Sequence, residues 1–260
     1  MTNRRRVDLI EKYIRDHRYA DLHTLAARFN ISQSTARRAL DELEARGVLR
    51  RHHGGASVID SDEIAREYDF VSRDLVQGNE KFAMASLIAE RVMPGMTVMI
   101  DGGTSPYAVA RLLIGKRLRV ITNSLPVAGL FSDVSSVETI VTGGTINNRI
   151  GVLVGPHCDE MLERVHADIA ILGASGINAQ GLWAHTMPIA STQRKMMTAA
   201  DQTVFALDHS KFDRKALVLS TSFHENHTIV TDAEPSPEIA AALRSARATL
   251  ALCPRVPSSS

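Results

Sequence analysis

Residues 32–55 read SQSTARRALDELEARGVLRRHHGG, and they carry the clearest structural signal in the chain. Ser32 is a favourable N-cap, because its hydroxyl can accept a hydrogen bond from the first helical turn, and Gly47 is a typical helix stop. Between them, apolar residues recur at helical spacing at Ala36, Ala39, Leu40 and Leu43. The stretch therefore predicts a helix with one buried face and an outward face made of Gln33, Ser34, Arg37, Arg38 and Asp41.

The flanking segments complete a small domain. Upstream, the apolar spacing predicts two more helices, the first containing Val7, Ile10 and Ile14 and the second containing Leu22, Leu25, Ala26 and Phe29. Only Asn30 and Ile31 separate the second helix from Ser32. Downstream, residues 48–51 and 56–59 are expected to pair as short strands around the glycines. Residues 1–59 are thus predicted to form a winged helix-turn-helix domain.

This arrangement fits duplex DNA. A helix can enter the major groove with its N-terminal side chains at base edges, while basic groups on a wing contact phosphates. Taken alone, the sequence of the third helix is also typical of an ordinary solvated helix with i, i+4 charge pairs. The prediction of DNA binding therefore depends on the complete order of three helices followed by a wing. The predicted DNA-binding residues are Ser32, Gln33, Ser34, Thr35, Arg37, Arg38, Arg50, Arg51, His52, His53, Gly54 and Gly55.

The charge distribution agrees with this interpretation. The net charge of the 260 residues is only +1, yet residues 1–59 contain 12 Lys and Arg against 7 Asp and Glu. The remainder contains 18 against 22. A basic segment joined to an acidic body indicates a small anion-binding module attached to a second domain.

Composition excludes several other classes of protein. There is no apolar run of roughly 18 residues, and the N-terminal stretch lacks the apolar core of a signal peptide. Cys158 and Cys253 are the two cysteines, far apart and outside any CxxC pattern. We expect a globular cytoplasmic protein that is nucleoid-associated when bound to DNA and has no membrane partner. The tail, residues 254–260, is expected to be disordered.

The larger part of the chain has a different pattern. Residues 60–80 are polar and predict a linker, whereas in residues 81–253 short apolar runs alternate with helical stretches. Buried parallel strands joined by helices produce this alternation, so the predicted class is α/β. The predicted strands are residues 97–101, 119–122, 138–142, 168–173 and 203–208.

Small and hydroxylated residues follow four of these runs. In an open α/β sheet, ligands bind beyond the carboxyl ends of the strands, and a helix that begins there offers amide N–H groups to an anion. A phosphate is the expected ligand group, although Gly and Ser after a strand often only form the turn. The predicted effector-binding residues are Asp101, Gly102, Gly103, Thr104, Ser105, Asn123, Ser124, Gly143, Gly144, Ser175 and Gly176.

Both parts of the chain resemble the DeoR family of bacterial transcriptional regulators. The resemblance is carried by LHTLAARFNISQSTARRALDELEARGVLRRHHGGA at residues 22–56, and by IDGGTS, ITNSL, LGASGI and DHSKF in the second part. The chain departs from the family pattern twice. The family usually has an Asp where this chain has Ala39. After GLW at residues 181–183 the family commonly has a Glu and then a Lys-Arg pair, and this chain has Arg194-Lys195 without the carboxylate.

The resemblance implies both a fold and a function. The fold is a winged helix-turn-helix domain followed by a Rossmann-like α/β effector domain similar to ribose-5-phosphate isomerase. The function is repression of a carbohydrate catabolism or uptake operon, relieved by a phosphorylated sugar bound across the loops. Lys211 is the candidate cation for that ligand, with an ordinary surface lysine as the alternative. The implied partners are double-stranded operator DNA, the phosphorylated sugar and further copies of the chain in a homo-dimer or homo-tetramer, without a cofactor.

An enzyme is the main alternative. Sugar-phosphate isomerisation needs a carboxylate that moves a proton between carbons, and residues 173–176 of the matching loop contain no acid. We therefore predict no catalytic residue, and keep an isomerase-like enzyme with an appended nucleic-acid-binding domain as the alternative. A DNA-binding protein whose body only oligomerises is a third possibility.

The His224-Glu225-Asn226-His227 run lacks a complete ligand set, so we predict solvated loop histidines and no metal site.

Overall fold

The computed structural model describes residues 3–17, 19–45, 49–52, 55–58 and 78–253. Its contacts divide the chain into two compact units, Met1–Arg66 and Glu67–Ser260, which are described separately below.

The N-terminal unit contains the three predicted helices and the predicted strand pair. Its elements are α1 (Asn3–His17), β1 (Tyr19–Asp21), α2 (Leu22–Phe29), α3 (Gln33–Ala45), β2 (Leu49–His52) and β3 (Gly55–Val58). Strand β1 was not predicted; it pairs antiparallel with β3, so the sheet order is β1-β3-β2. The helices meet in one core, in which Val7, Ile10, Ile14, Leu25, Leu40 and Leu43 are buried as their spacing predicted.

Local hydrogen bonds explain where these helices begin and end. Asp21 caps α2, accepting from the Thr24 amide at 2.7 Å and from the Thr24 hydroxyl at 2.7 Å. Asn30 ends α2 in the left-handed conformation at φ 49°, which Asn tolerates better than most residues. Ser32 caps α3 as predicted, because its Oγ accepts from the Thr35 amide at 3.2 Å. The predicted stop, Gly47, lies outside the described residues.

The C-terminal unit is built on a seven-stranded parallel sheet. Its elements are α4 (Gly78–Ala89), β4 (Thr97–Ile100), α5 (Thr104–Leu112), β5 (Leu118–Thr122), α6 (Leu125–Phe131), β6 (Val137–Val141), β7 (Thr145–Asn147), β8 (Val152–Val154), α7 (Pro156–Leu162), β9 (Ala167–Leu172), β10 (Gly176–Asn178), β11 (Gly181–Ala184), α8 (Met187–Thr198), β12 (Ala200–Ala206), a 3₁₀ turn (His209–Lys211), β13 (Val218–Thr221), β14 (His227–Thr231), α9 (Pro237–Ser245) and β15 (Thr249–Leu252).

The order of the strands creates a switch point in the sheet. That order is β15-β14-β12-β9-β4-β5-β6, with β10-β11-β13 and β7-β8 forming two small antiparallel sheets. From β4 the chain moves outward through β5 to β6, and it then returns to place β9 on the other side of β4. The carboxyl ends of β4 and β9 therefore flank the point at which the winding direction reverses, which is the usual ligand position in open α/β sheets.

Both faces of the large sheet are buried. Val98 and Ile100 of β4 pack into a core formed with α4, α5 and α6, whereas Met99 packs into a second core formed with α7, α8 and α9. Alternate residues of a strand point to opposite faces, so a central strand covered on both sides appears in the sequence as an unbroken apolar run.

The sequence prediction needs three corrections in this unit. The predicted strands occur within a few residues of their expected bounds, but the prediction lacks β14 and β15 of the large sheet and the five short strands of the two small sheets. His227 begins β14 and is buried, so the prediction of a solvated loop histidine is wrong for it, although His224 is exposed. Helix α4 begins at Gly78, inside the stretch predicted as linker; residues 60–77 and the predicted disordered tail lie outside the described residues.

Candidate functional site

The first candidate site is the outward face of α3. Ser32, Gln33, Ser34, Arg37 and Arg38 are exposed, and Thr35 is half-buried. The opposite face is held in the core of the unit through Ala36, Ala39, Leu40 and Leu43, so the outward direction of the polar residues follows from packing. At the start of the helix, the Ser32 hydroxyl lies 2.9 Å from those of Ser34 and Thr35. Within the described part of the unit, no ion pair involves Arg37 or Arg38.

The predicted wing forms the edge of the small sheet. Arg50 pairs with Ser57, Arg51 with Ala56, and His52 with Gly55. Because β3 lies between β1 and β2, the strand that carries Arg50, Arg51 and His52 is an edge strand. The other two predicted wing residues, His53 and Gly54, fall outside the described residues.

The second candidate site lies at the carboxyl edge of the parallel sheet. The four predicted loops follow β9, β4, β5 and β6, which are consecutive neighbours in the sheet. Two of the loops lead into helices, since Thr104 begins α5 and Ser124 caps α6. The other two lead into strands, because Gly143-Gly144 precede β7 and Ser175 precedes β10, where Ser175 donates its amide to Trp183 O at 2.7 Å.

Asp101 is the buried centre of this edge. Its Oδ1 accepts from the Gly102 amide at 2.7 Å, and its Oδ2 accepts from Gln193 Nε2 at 2.8 Å. Burial raises the pKa of Asp101 from 3.8 to about 6, and hydrogen bonds from Gln193, the Gly102 amide and Asn123 partly offset that rise. The site therefore holds a carboxylate in a weakly solvated environment.

Gln193, which sequence analysis did not select, holds Asp101 in place from α8. Its Nε2 also donates to Gly173 O at 3.0 Å, and its Oε1 accepts from the Ser220 hydroxyl at 3.0 Å. The side chain thus bridges the ends of β4 and β9 at the switch point. Its polar position within an apolar helix face, next to Met196 and Met197, is the one signal that would have identified it.

Asn123 occupies the equivalent position on the neighbouring strand. It is buried, and its Nδ2 donates to Leu153 O at 3.4 Å. Its Oδ1 has no hydrogen-bond partner among the described residues. Ser124 is fully buried and caps α6, accepting from the Val127 amide at 3.4 Å, so its hydroxyl is already used within the protein.

Glycines allow the loops to approach one another. Gly103 has φ +117° and is the N-cap of α5, and no side chain caps the first turn of that helix. Gly144 has φ +115°, and a Cβ there would lie 2.7 Å from Val154 O. A side chain at either position would strain the backbone, and at Gly144 it would also collide with β8.

The two units match the same family of known proteins. Residues 6–62 match the DeoR-like helix-turn-helix domain, and residues 76–233 match the DeoR C terminal sensor domain. The chain belongs to the DeoR family of transcriptional regulators.

Named DeoR-family proteins align with almost the whole chain. It is 32% identical to the glycerol-3-phosphate regulon repressor of Escherichia coli (strain K12) over 246 residues, covering 94% of this chain and 96% of that protein. It is 30% identical to the transcriptional repressor AccR of Agrobacterium fabrum, covering 89% and 90%. It is 28% identical to the L-fucose operon activator of Haemophilus influenzae, covering 87% and 91%. These relatives are regulators, so the alternative of an isomerase-like enzyme is not supported.

Solved structures are similar to the chain only at lower sequence identity. Ribose 5-phosphate isomerase A from Methanocaldococcus jannaschii aligns with a TM-score of 0.39 and 16% identity, covering 52% of this chain and 54% of that one. The eIF2B delta structure from Chaetomium thermophilum aligns with a TM-score of 0.40 and 13% identity, covering 72% and 58%.

The basic pair of the DeoR-family pattern has structural contacts in this chain. Arg194 donates to Ser220 O at 3.1 Å, and Lys195 forms an ion pair with Glu163, the C-cap residue of α7. Both residues therefore fasten α8 to its neighbours, and Gln193 is the residue of α8 that contacts the strand ends. Lys211, the predicted cation, ends the 3₁₀ turn after β12 and is half-buried.

The histidine run has a structural role in this DeoR-family protein. His227 packs edge-on against Phe205, with ring centroids 5.3 Å apart, and burial lowers the pKa of its imidazole to about 4. No group of three or more His, Cys, Asp or Glu side chains within the described ranges could hold a metal ion. None of the described helices is long and apolar enough to span a membrane.

Proposed function

We propose that this DeoR-family regulator represses a carbohydrate catabolism or uptake operon and that a phosphorylated sugar releases it from DNA. The observation that carries the proposal is the combination, in one chain, of a helix-turn-helix with an outward polar face and a sensor unit with loops gathered at a switch point. The names of the relatives support a carbon-source regulon, since they mention glycerol-3-phosphate and L-fucose. We place its action in the cytoplasm, on the nucleoid.

DNA binding in this proposal divides between the helix and the wing. The exposed start of α3, from Ser32 to Arg38, would enter the major groove, and the edge strand with Arg50 and Arg51 would follow the phosphates. A homo-dimer or homo-tetramer formed by the C-terminal units would place two such helices on repeated half-sites.

Substitution of the arginines tests this division. Arg37→Ala or Arg38→Ala should cost about 1–3 kcal/mol of operator affinity and relax specificity at one base pair. Arg50→Ala or Arg51→Ala should weaken all duplexes alike and reduce the salt dependence of binding. Mobility shifts at two salt concentrations, with duplexes from the region upstream of the gene and a random competitor, measure both effects. Arg111→Ala, an exposed arginine of the C-terminal unit, is the control. Four arginine variants with unchanged binding would refute the proposed interface.

The sensor unit is proposed to bind the ligand phosphate at the start of α5. Amide N–H groups of the first turn and the positive end of the helix dipole attract an anion, and Gly102, Gly103, Thr104 and Ser105 form the approach to it. The neighbouring loops at Gly143, Gly144, Ser175 and Gly176, and Lys211 after β12, would surround the rest of the ligand. To release DNA, the ligand must bind the off-DNA state more tightly, by about 1–3 kcal/mol in typical regulators.

Lys211→Ala should separate operator binding from the response to the phosphorylated sugar. We expect the variant to bind operator DNA as the parent does, because Lys211 lies in the other unit, and to need at least tenfold more phosphorylated sugar for release. Operator release is measured with glycerol 3-phosphate, ribose 5-phosphate and glucose 6-phosphate, with Arg111→Ala again as control. Release of Lys211→Ala at the parent concentration would remove Lys211 from the proposed site.

A further inference from the structure

The two side chains at the bottom of the ligand site present hydrogen-bond acceptors. Ile100 pairs with Thr122 in the parallel ladder, so Asp101 and Asn123 are the next residues on adjacent strands and lie side by side. Their positions are two residues beyond Met99 and Ile121, which pack in the core beneath α7 and α8. Both side chains therefore belong to the sheet face that Gln193 covers.

The orientation of the Asn123 amide follows from its neighbours. Leu153 O and the Asp101 carboxylate are both acceptors, and hydrogen bonding from Asn123 helps to lower the pKa of Asp101. The Asn123 nitrogen must face them, which leaves Oδ1 as the end without a partner among the described residues. A buried amide oxygen without a donor is costly, so the group that completes the site must supply one.

Gln193 cannot supply that donor. Both hydrogens of its Nε2 are already directed to Asp101 and Gly173 O, and its Oε1 accepts from Ser220. Its three contacts instead hold the Asp101 carboxylate in one orientation. Gln193 is therefore a positioning residue, and a hydroxyl of the ligand can provide the missing donor.

We propose that Asp101 and Asn123 form a hydroxyl-recognition subsite, so that the effector enters with a sugar hydroxyl toward the sheet and its phosphate toward the first turn of α5. This inference rests on the proposed sensing of a phosphorylated sugar and adds the orientation of the bound ligand. A phosphate dianion beside Asp101 would face a like charge in a poorly solvated environment, whereas a hydroxyl donates to that carboxylate. The chain should therefore select polyol phosphates and reject phosphomonoesters of the same size that lack hydroxyls.

Matched ligand pairs test the proposal on the full-length protein. The pairs are glycerol 3-phosphate with n-propyl phosphate, and glucose 6-phosphate with cyclohexylmethyl phosphate, and the dissociation constants are measured by isothermal titration calorimetry. We expect at least one polyol phosphate to bind tenfold or more tightly than its hydroxyl-free counterpart, because a buried acceptor left unpaired penalises the wrong ligand. Equal affinities within both pairs would overturn the subsite while leaving sugar-phosphate sensing in place. If none of the four compounds binds, the proposed function fails and the subsite fails with it.

Asp101→Asn provides a second test, because it should change the affinities for the two ligands of a pair differently. Affinity for the preferred polyol phosphate should fall about tenfold, whereas affinity for its hydroxyl-free counterpart should stay the same or rise, because the negative charge is removed. A misfolded Asp101→Asn protein would lose affinity for both ligands, and its thermal melting curve would reveal the misfolding. In that case the test uses Gln193→Leu, which releases the Asp101 carboxylate without removing it and must reduce the preference for the polyol phosphate. Asp133→Asn, at an exposed position, is the control and should keep the full preference. A folded Asp101→Asn protein with the parent preference would contradict the proposal.

Discussion

Replacing Leu40 with alanine is expected to destabilise the N-terminal unit by about 2–5 kcal/mol and to weaken operator binding. Leu40 is fully buried in the core that joins α1, α2 and α3, and this core also contains Ile10 and Leu25. The truncation leaves a cavity, and a unit of this size has a total stability of only about 5–15 kcal/mol. The outward face of α3 depends on this core, so the loss of packing becomes a loss of DNA binding.

Calorimetry of the full chain together with mobility shifts measures both consequences. Leu9→Ala is the matched control, because Leu9 is an α1 residue with 41% of its surface exposed and should change the unfolding free energy by less than about 0.5 kcal/mol. A Leu40→Ala protein with the melting temperature and operator affinity of the parent would show that the core of this unit has been assigned wrongly.

The second large effect is a pH dependence from Asp101. Because burial raises the pKa of Asp101 from 3.8 to about 6, the folded C-terminal unit holds this proton more tightly than the unfolded chain. Its contribution to stability is therefore greatest below pH 4 and is lost as the pH rises toward 6, by about 3 kcal/mol. The asparagine of Asp101→Asn cannot ionise. The unfolding free energy of the variant, relative to that of the parent, should therefore increase by up to this amount between pH 4 and pH 7.

Denaturant unfolding of both proteins across this range gives the difference directly. His209 contributes in the same sense near its own titration, since its hydrogen bond to Asp232 raises the imidazole pKa and the associated stability is lost as the pH rises. That contribution is common to both proteins and cancels in the difference. Parallel stability curves for parent and variant from pH 4 to pH 7 would mean that Asp101 is solvated in the folded state.

The predicted elements that succeeded share a physical basis. Helices α1, α2 and α3 have a regular apolar face, and β4, β5, β6, β9 and β12 are continuous apolar runs, so local spacing alone indicates burial. Strand β1 has only three residues, which are too few for a periodic signal. His227 was misread because a polar residue at the start of a buried strand resembles its exposed neighbours in the loop.

The candidate ligand site was predicted in part for the same reason. Each loop after a strand could be recognised from its glycines and hydroxyls, but whether it leads to a helix or to another strand depends on the packing of distant segments. Gly143-Gly144 and Ser175-Gly176 lead into β7 and β10, which pair with strands later in the chain.

By itself, the amino-acid sequence determined the two-part organisation, the basic helix with its polar face and the set of loops that follow the strands, because periodicity, capping and charge are local properties. Only the tertiary structure decided that β9 lies beside β4 and that Gln193 bridges Asp101 and Gly173 across that junction. The order of strands in a parallel sheet is set by how the helices pack on both faces, and residues 92 positions apart carry no local record of that contact.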